Sequence, residues 1–583
     1  EISACLVGSE MCIRDSLTGI RQDLPRLGSA GSRSAQLHAD GNSEDAAGSL
    51  PGALYDLLPD EDAARPRTTI AQLRAFFVLR WMGTLGAILI AVGGLGAGAL
   101  PVVGNPYDNV PFGSLMSRML QSASALVFCG VGLMVTAWVL MAPFVGTPLR
   151  NTENNGEHSR PGRLVTESQL WRTWAGWVIP LIFTAPLFTQ DIYSYLANGS
   201  IVTQGLDPYS GGPVELLGSA DPLARSVPFI WANSPSPYGP VALGLAGIVS
   251  VLTSNSIILG VIAHRLLSLA GIIAAGWAIS QLAIRCRVSP ESALWLGILN
   301  PLTTLHLVGG IHNESVMLGL ALVGVELGLR GVDRLGGAPA WLYFLCSGLL
   351  ISCAGMVKVT GFIGLGFVGM ALARVLLIRR GYSTPRAIGS AVALQFFILL
   401  AAIALVTLTS GIGLGWITGQ GGAASIRSWL SSSTAVGVSA GFLGMLLGLG
   451  DHTDAILTFT RTIGVIIAAG FMLRMLLATY RGSIHPVGGL GIATLVLVIF
   501  FPVVHPWYIL WAVLPLAAWA NRLIFRITVV IYSAAMSFFV LPRGLGLPPG
   551  TIVVIYTAAI VTYLVVMGLW MVLLRRSRIS VLN

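Results

Sequence analysis

Apolar residues in this chain come in long unbroken runs, not in the alternation of a half-buried strand. From about residue 74 onward the runs fall at 74–99, 122–146, 171–189, 238–254, 257–284, 291–309, 314–330, 340–357, 361–379, 387–410, 434–449, 460–480, 486–504, 507–521, 522–541 and 551–574. Most are long enough to cross a hydrocarbon core as an α-helix, which takes roughly 17–25 residues. Backbone amides in lipid must be satisfied inside their own segment, so the expected fold is all-α, a polytopic transmembrane helical bundle. The alternating ten-residue segments of a membrane β-barrel are not found.

Arginine placement decides how the runs thread the bilayer. If all sixteen crossed, strict alternation would put Arg285, Arg287 and Arg481 outside, against the positive-inside rule. The runs 238–254 and 434–449 are short and contain glycine, so they are expected to be re-entrant or interfacial. About 14 spans then remain, within a range of about 13–16, and both termini face the cytoplasm. The arginine-bearing loops near 150–172, 285–287, 330–334, 379–386, 474–481, 522–526 and 575–578 all become cytoplasmic. The opposite face receives 190–237, 310–313, 357–361, 411–459 and 505–506.

Composition agrees. Mean hydropathy is +0.78, and only 10% of the 583 residues are charged, against about 25% in soluble domains. The 70 glycines suit close helix contacts as well as loops. A net charge of +9 would fit a nucleic-acid binder, but the arginines sit at the ends of apolar runs and form no basic face, so no nucleic-acid partner is expected. All 34 Lys+Arg residues are arginine except Lys358. The six cysteines form no C-x-x-C pair, and Cys129, Cys346 and Cys353 fall in apolar runs as packing residues. Residues 1–16, EISACLVGSEMCIRDS, read as a non-native leader. Residues 17–70 lack the apolar content to fold and are expected to be a disordered cytoplasmic tail. The membrane domain occupies 71–575, and 576–583 form a cytoplasmic tail.

The candidate chemistry gathers on the outer side. The early loop 190–237 reads QDIYSYLANGSIVTQGLDPYSGGP and then WANSPSPYGP. Asp191 directly follows an apolar run, and Ile192, Tyr193, Tyr195, Leu196 and Ile201 predict an amphipathic helix in the interface. A carboxylate there suits a general base; the same position suits a helix cap, and the two roles can coexist. Tyr209 in GLDPY and Tyr238 in SPSPYGP sit in proline-directed turns, where a ring can stack on a sugar or simply brace the turn. The loop GGIHNES brings His312, Asn313 and Glu314 to the same face, costly there unless used or paired. Lys358 can hold a phosphate as a point charge or snorkel to the interface. VVHPWYILW adds His505 with Trp507 and Tyr508, and the second long loop, 411–459, adds Arg427. No D-x-D pair falls in these outer loops, so neither a metal site nor another cofactor is predicted, although a divalent ion remains compatible. Ionisable groups at the membrane surface, with no inverted repeat, fit an enzyme joining a water-soluble acceptor to a lipid-linked phosphorylated donor better than a proton-coupled transporter.

QDIYSYLANGSIVTQGLDPYSGGP, SPSPYGP, LNPL with GGIHNES, and HPWYILW together resemble the actinobacterial α-(1→6)-mannopyranosyltransferases that use polyprenyl-phosphate mannose, members of the GT-C class of membrane glycosyltransferases. The resemblance covers roughly 70–575. It implies a GT-C-type bundle in the plasma membrane, with Asp191 as the catalytic base of a large early extracytoplasmic loop. It further implies a polyprenyl-phosphate mannose donor, a lipid-anchored oligomannan acceptor, and extension of the mannan core of lipomannan and lipoarabinomannan. Lys358, His312, Arg427 and His505 are the candidates for the departing phosphate. The alternatives are transfer of another sugar, such as arabinofuranose, and a flippase or transporter that moves a lipid-linked sugar without making a bond.

Overall fold

The computed structural model describes residues 69–147, 164–337, 339–419 and 427–576. The regular elements among them are all helical. The 1–16 leader and nearly all of the 17–70 and 576–583 tails lie outside the described residues.

The first helices are α1 (Ile70–Ala97), α2 (Leu120–Leu140) and α3 (Glu167–Ile182). Next come α4 (Asp191–Thr203), α5 (Pro240–Thr253), α6 (Ile257–Arg285) and α7 (Pro290–Gly297). The middle of the chain forms α8 (Glu314–Asp333), α9 (Ala340–Val357), α10 (Ile363–Arg380) and α11 (Thr384–Ser410). The rest forms α12 (Ser432–Leu446), α13 (Thr453–Arg481), α14 (Pro486–Phe500), α15 (Leu510–Trp519), α16 (Leu523–Met536) and α17 (Pro549–Arg576).

Among the described residues nine helices are long and apolar enough to cross a membrane: α1, α2, α6, α8, α9, α10 with its lead-in turn, α11, α13 and α17. Five further apolar helices are shorter: α5, α12, α14, α15 with its lead-in turn, and α16. The two runs expected not to cross on their own, 238–254 and 434–449, both fall in the shorter class. The runs 486–504, 507–521 and 522–541, read as full spans, join them. At 1.5 Å per residue the 15-residue α14 is about 22 Å long, short of a ~30 Å core.

Small residues set the helix spacing. A Cβ on Gly86 of α1 would lie 2.5 Å from the Gly130 carbonyl oxygen of α2, and one on Gly130 would lie 2.4 Å from that of Gly86. The two backbones therefore meet where neither carries a side chain. Between α2 and α7, Trp138 donates its indole N–H to the Trp295 carbonyl at 2.9 Å, and Trp295 returns the bond at 2.8 Å. The run 291–309 is not one helix. Pro301 removes a backbone donor, and the buried Asn300 amide bonds the Leu296 carbonyl at 3.1 Å and Ser533 Oγ at 2.9 Å. The chain resumes as a π-helix over Thr303–Gly309, a form that recurs at functional sites.

One charged side chain lies in the middle of this packing. Arg265 of α6 is 0% exposed. Its guanidinium donates to the carbonyls of Ile182 and Thr184, each at 2.8 Å, and to those of Ala185, Val308 and Gly309 at 3.2–3.4 Å. These acceptors are the C-terminal ends of α3 and of the π-helix, with the irregular segment that follows α3. Their negative poles offset the buried charge. Arg265→Met leaves these carbonyls without their donor, and a buried acceptor left unmet costs about 1–3 kcal/mol. A clear drop in the thermal unfolding midpoint of the detergent-solubilised protein is expected. An unchanged midpoint would show that the clasp does not hold the fold.

Candidate active site

The site begins where α3 ends. The irregular segment between α3 and α4 is pinned on three sides. Leu187 N–H bonds the Gly309 carbonyl at 3.1 Å, Phe188 N–H bonds the Pro542 carbonyl at 2.7 Å, and the Gln190 amide bonds the Leu100 carbonyl at 2.6 Å. Phe188 takes φ 68°, a left-handed conformation costly for a non-glycine residue. Ile311, directly before His312, takes φ 58°. Two strained residues thus turn the chain immediately before the two polar groups that face each other.

Asp191 is the first residue of α4, and Gln190 holds the cap position without a side-chain bond. The capping role left open by the sequence is not what the carboxylate does. Its Oδ1 accepts the indole N–H of Trp231 at 2.9 Å, and its Oδ2 lies 3.9 Å from His312 Nδ1. Asp191 keeps 24% of its side chain exposed, while His312 keeps 2%. The helix is not amphipathic either. Residues 192–201 are all buried, so α4 is enclosed by protein and does not float in the interface. Tyr193 is fully buried and donates its hydroxyl to the Ala99 carbonyl at 2.8 Å. It anchors α4 and is not presented to a substrate.

One turn on, Tyr195 shares the Asp191 face of the helix and meets Tyr238, hydroxyl to hydroxyl, at 3.2 Å. Burial first, then the charges of Asp191 and Glu314, hold the Tyr238 hydroxyl protonated. Gly239 follows in contact with the end of α9; a Cβ there would sit 2.0 Å from the Met356 carbonyl oxygen. This close approach puts the SPSPYGP turn two residues from Lys358. Tyr209 braces the turn from behind, donating to the Tyr238 carbonyl at 3.0 Å while its ring covers Gly415.

Lys358 caps α9 and meets Glu314, the first residue of α8: Nζ to Oε1 is 2.7 Å, and Nζ to the Tyr508 hydroxyl is 2.9 Å. Its ammonium also lies 4.2 Å from the Tyr508 ring centroid and 5.0 Å from that of Trp511. Burial opposes the charge, but Glu314 and Tyr508 outweigh it, so the Lys358 pKa is raised and the group stays cationic. Asn313, directly before Glu314, lines a narrow cleft with His264, Ser268 and Val357.

Three imidazoles gather on one indole. The Trp507 ring centroid is 4.0 Å from that of His312, 4.6 Å from His505 and 4.8 Å from His306. Burial lowers the pKa of His312 and pushes that of His505 down to about 4, although Asp191 and Glu314 pull upward on both. Arg427, in the second long loop, stands apart: it pairs at 2.7 Å with exposed Asp454 in the first turn of α13. Its neighbour Ser428 bonds the Val504 carbonyl, which ties that loop to the residue before His505.

Of the residues singled out in the sequence, Asp191, His312, Glu314, Lys358, Tyr238 and His505 form one cluster. Tyr193, Tyr209 and Arg427 are engaged elsewhere, and Asn313 borders the cluster. Sequence reasoning passed over Trp231 and Arg265. A lone arginine inside an apolar run was itself the signal for Arg265; Trp231 carried only the weak signal of a tryptophan in a Ser/Pro-rich loop. Among the described residues no group of three or more His, Cys, Asp or Glu side chains could hold a metal ion.

A membrane-embedded helical bundle with a carboxylate, a paired lysine and stacked imidazoles at one mouth is suited to group transfer at the bilayer surface. Residues 80–374 match a family profile described as "Alpha-(1->6)-mannopyranosyltransferase, N-terminal domain", and residues 433–568 match "MptB C-terminal domain". The chain is 58% identical to alpha-(1→6)-mannopyranosyltransferase B of Corynebacterium glutamicum, covering 94% of this chain and 91% of that one. It is 38% identical to an alpha-(1→6)-mannopyranosyltransferase of Mycobacterium tuberculosis, covering 84% and 86%. The archaeal oligosaccharyltransferase AglB of Archaeoglobus fulgidus superposes loosely, with TM-score 0.33 and 13% identity over 74% of this chain and 56% of that one. The protein is a hexosyltransferase of the membrane-embedded kind. The chain belongs to the α-(1→6)-mannopyranosyltransferase family.

Trp231→Phe keeps an aromatic ring and removes the hydrogen bond to Asp191. A hydrogen bond to a charged group contributes about 1.5–3 kcal/mol, so turnover is expected to fall roughly tenfold or more with protein levels unchanged. Turnover equal to wild type would remove Trp231 from the positioning of Asp191.

Proposed function

We propose that the chain is an inverting mannosyltransferase that moves mannose from polyprenyl-phosphate mannose to a lipid-anchored, growing α-(1→6)-mannan, the core of lipomannan and lipoarabinomannan. The reaction takes place on the extracytoplasmic face of the plasma membrane, with both termini cytoplasmic. The single observation carrying the reading is Asp191: a half-exposed carboxylate fixed by Trp231 on one oxygen and open on the other, at the same mouth as the Glu314–Lys358 pair. The names of the relatives support mannose as the sugar and α-(1→6) as the linkage. Helix α8 supports the orientation. Its N-terminal end carries Glu314, while its C-terminal end joins an arginine network, Glu326 with Arg285 at 3.2 Å and Arg330 at 2.8 Å, and Asp333 with Arg285 at 2.5 Å.

In the reaction Asp191 takes the proton of the acceptor hydroxyl as its oxygen attacks the anomeric carbon. The new C–O bond forms on one face of the sugar, and the bond to the donor phosphate breaks on the other. The bonding pair leaves on the phosphate, and β-mannosyl phosphate yields an α-linkage through an oxocarbenium-like transition state. A lipid phosphate leaves without protonation by a second carboxylate. Glu314 fits that economy, since it serves Lys358 and not the sugar. Lys358, held by Glu314 and Tyr508, is suited to lend its positive field to the phosphate side without leaving Glu314. The rings of Tyr195 and Tyr238 are suited to the sugar.

Asp191→Asn keeps an oxygen for Trp231 and removes the base. In membranes given lipid-linked mannose and an oligomannoside acceptor, the rate is expected to fall by roughly 10²-fold or more. Near-normal turnover would discard Asp191 as base. The product separates the alternatives: a new α-(1→6) bond selects the transferase, and unchanged donor on the opposite leaflet selects a flippase. Asp207 is exposed in the early loop, so Asp207→Cys should react with a membrane-impermeant maleimide on intact cells; labelling only after permeabilisation would reverse the orientation.

A further inference from the structure

This inference rests on the phosphodiester donor proposed above and concerns how such an anion is received. The cluster holds two carboxylates, Asp191 and Glu314, against one lysine that is already bonded to Glu314. Arg427 is paired with Asp454. Arg265 lies against carbonyls whose helix ends offset its charge. With neutral imidazoles the site therefore carries one net negative charge before a donor arrives. A mannosyl phosphodiester brings a second, beside the buried rings of Trp507 and Tyr195, where water screens it weakly. Lys358 cannot answer both charges, because turning toward the phosphate strands buried Glu314.

The three imidazoles on Trp507 are the unused capacity. His306 is fully buried with both ring nitrogens unpartnered among the described residues, and it packs on Phe188. His312 is buried with Nδ1 toward Asp191 and Nε2 unpartnered among the described residues. His505 is the least buried of the three, nearly parallel to the indole at 11°, so a charge on its ring lies over an aromatic face. The groups facing it are Asp191, His312, Lys358 and Glu314, with His306 and Tyr508 beside it and the Tyr195–Tyr238 pair on the far side of Asp191. We infer that the donor phosphate enters this site together with one proton, held on His505, so that the imidazolium over Trp507 receives the phosphate while Lys358 stays with Glu314.

The direction with pH follows. In the free protein burial keeps His505 neutral above about pH 4. A bound phosphate raises that pKa, since an adjacent anion favours the imidazolium. Between the free and bound values each unit of rising pH weakens donor binding by up to roughly tenfold, and above the bound value binding levels off. The phosphodiester itself does not titrate in this range, so the slope belongs to the protein.

The test is calorimetric binding of farnesyl-phosphoryl-mannose to the full chain in nanodiscs, at pH 5, 6 and 7, each in two buffers of different ionisation enthalpy. The expected result is net proton uptake on donor binding within this range, with Kd rising by up to roughly tenfold per pH unit where uptake is seen. In His505→Gln the uptake should vanish and the pH dependence flatten. Wild-type binding without proton uptake, or binding that is flat with pH and abolished by a chelator, would overturn the proposal. Undiminished uptake in His505→Gln would overturn the assignment to His505. No binding heat at any pH would instead overturn the phosphodiester donor reading beneath it.

Discussion

The site depends on a buried guanidinium that makes no use of a carboxylate. Arg265 gathers carbonyls from residues 182–185 and 308–309 onto one planar fork. Lysine, with three donors on a single nitrogen, could not serve five acceptors in that arrangement. The acceptors belong to the two segments that lead into Asp191 and His312. Just beyond the clasp, each segment makes a left-handed turn, at Phe188 and at Ile311. Such turns persist only where the surroundings over-determine them. The Oδ2–Nδ1 approach of Asp191 and His312 therefore follows from Arg265, although Arg265 has no contact with either side chain.

The parts of this fold that the sequence made legible are those that lipid dictates. A hydrocarbon core demands length and apolarity together, and α1, α2, α6, α8, α11, α13 and α17 satisfy both in plain view. The runs that became α14, α15 and α16 are equally apolar, and α14 and α15 lie largely against protein, so hydropathy alone did not reveal how short they are. Asp191 stood out as a carboxylate directly after an apolar run. That its carboxylate bonds Trp231 and not the first-turn amides was hidden, because this partner lies 40 residues away and no local pattern announces it. The tyrosines of α4 misled for a related reason. Tyr193 found an acceptor inside the protein, at Ala99, and so did not need the headgroup region. Lys358 was conspicuous as the only lysine, yet its pairing with Glu314 joins residues 44 apart and exists only because the start of α8 meets the end of α9.

That pairing also separates two regions of opposite character. Glu314 opens α8 and Asp333 closes it, about 30 Å apart for 20 helical residues. Carboxylates at one end answer a lysine at the mouth of the site, and those at the other answer arginines. The arginine network can fix the tilt and register of α8 but lies too far from Glu314 to touch the mouth of the site, so any influence it has there must pass through helix position. The Gly239–Met356 contact adds a second restraint at the mouth, holding the SPSPYGP turn and the end of α9 as one piece.

The solitary lysine has a practical consequence. Acylating reagents that seek side-chain primary amines find in this sequence only Lys358. In the closed ion pair its ammonium is half-buried and carries its proton firmly, and both conditions suppress acylation. Reactivity at that one side chain is therefore a built-in gauge of whether the Glu314–Lys358 contact is open or shut. It can be read by mass spectrometry on the unaltered protein, with no label to introduce and no background from other lysines.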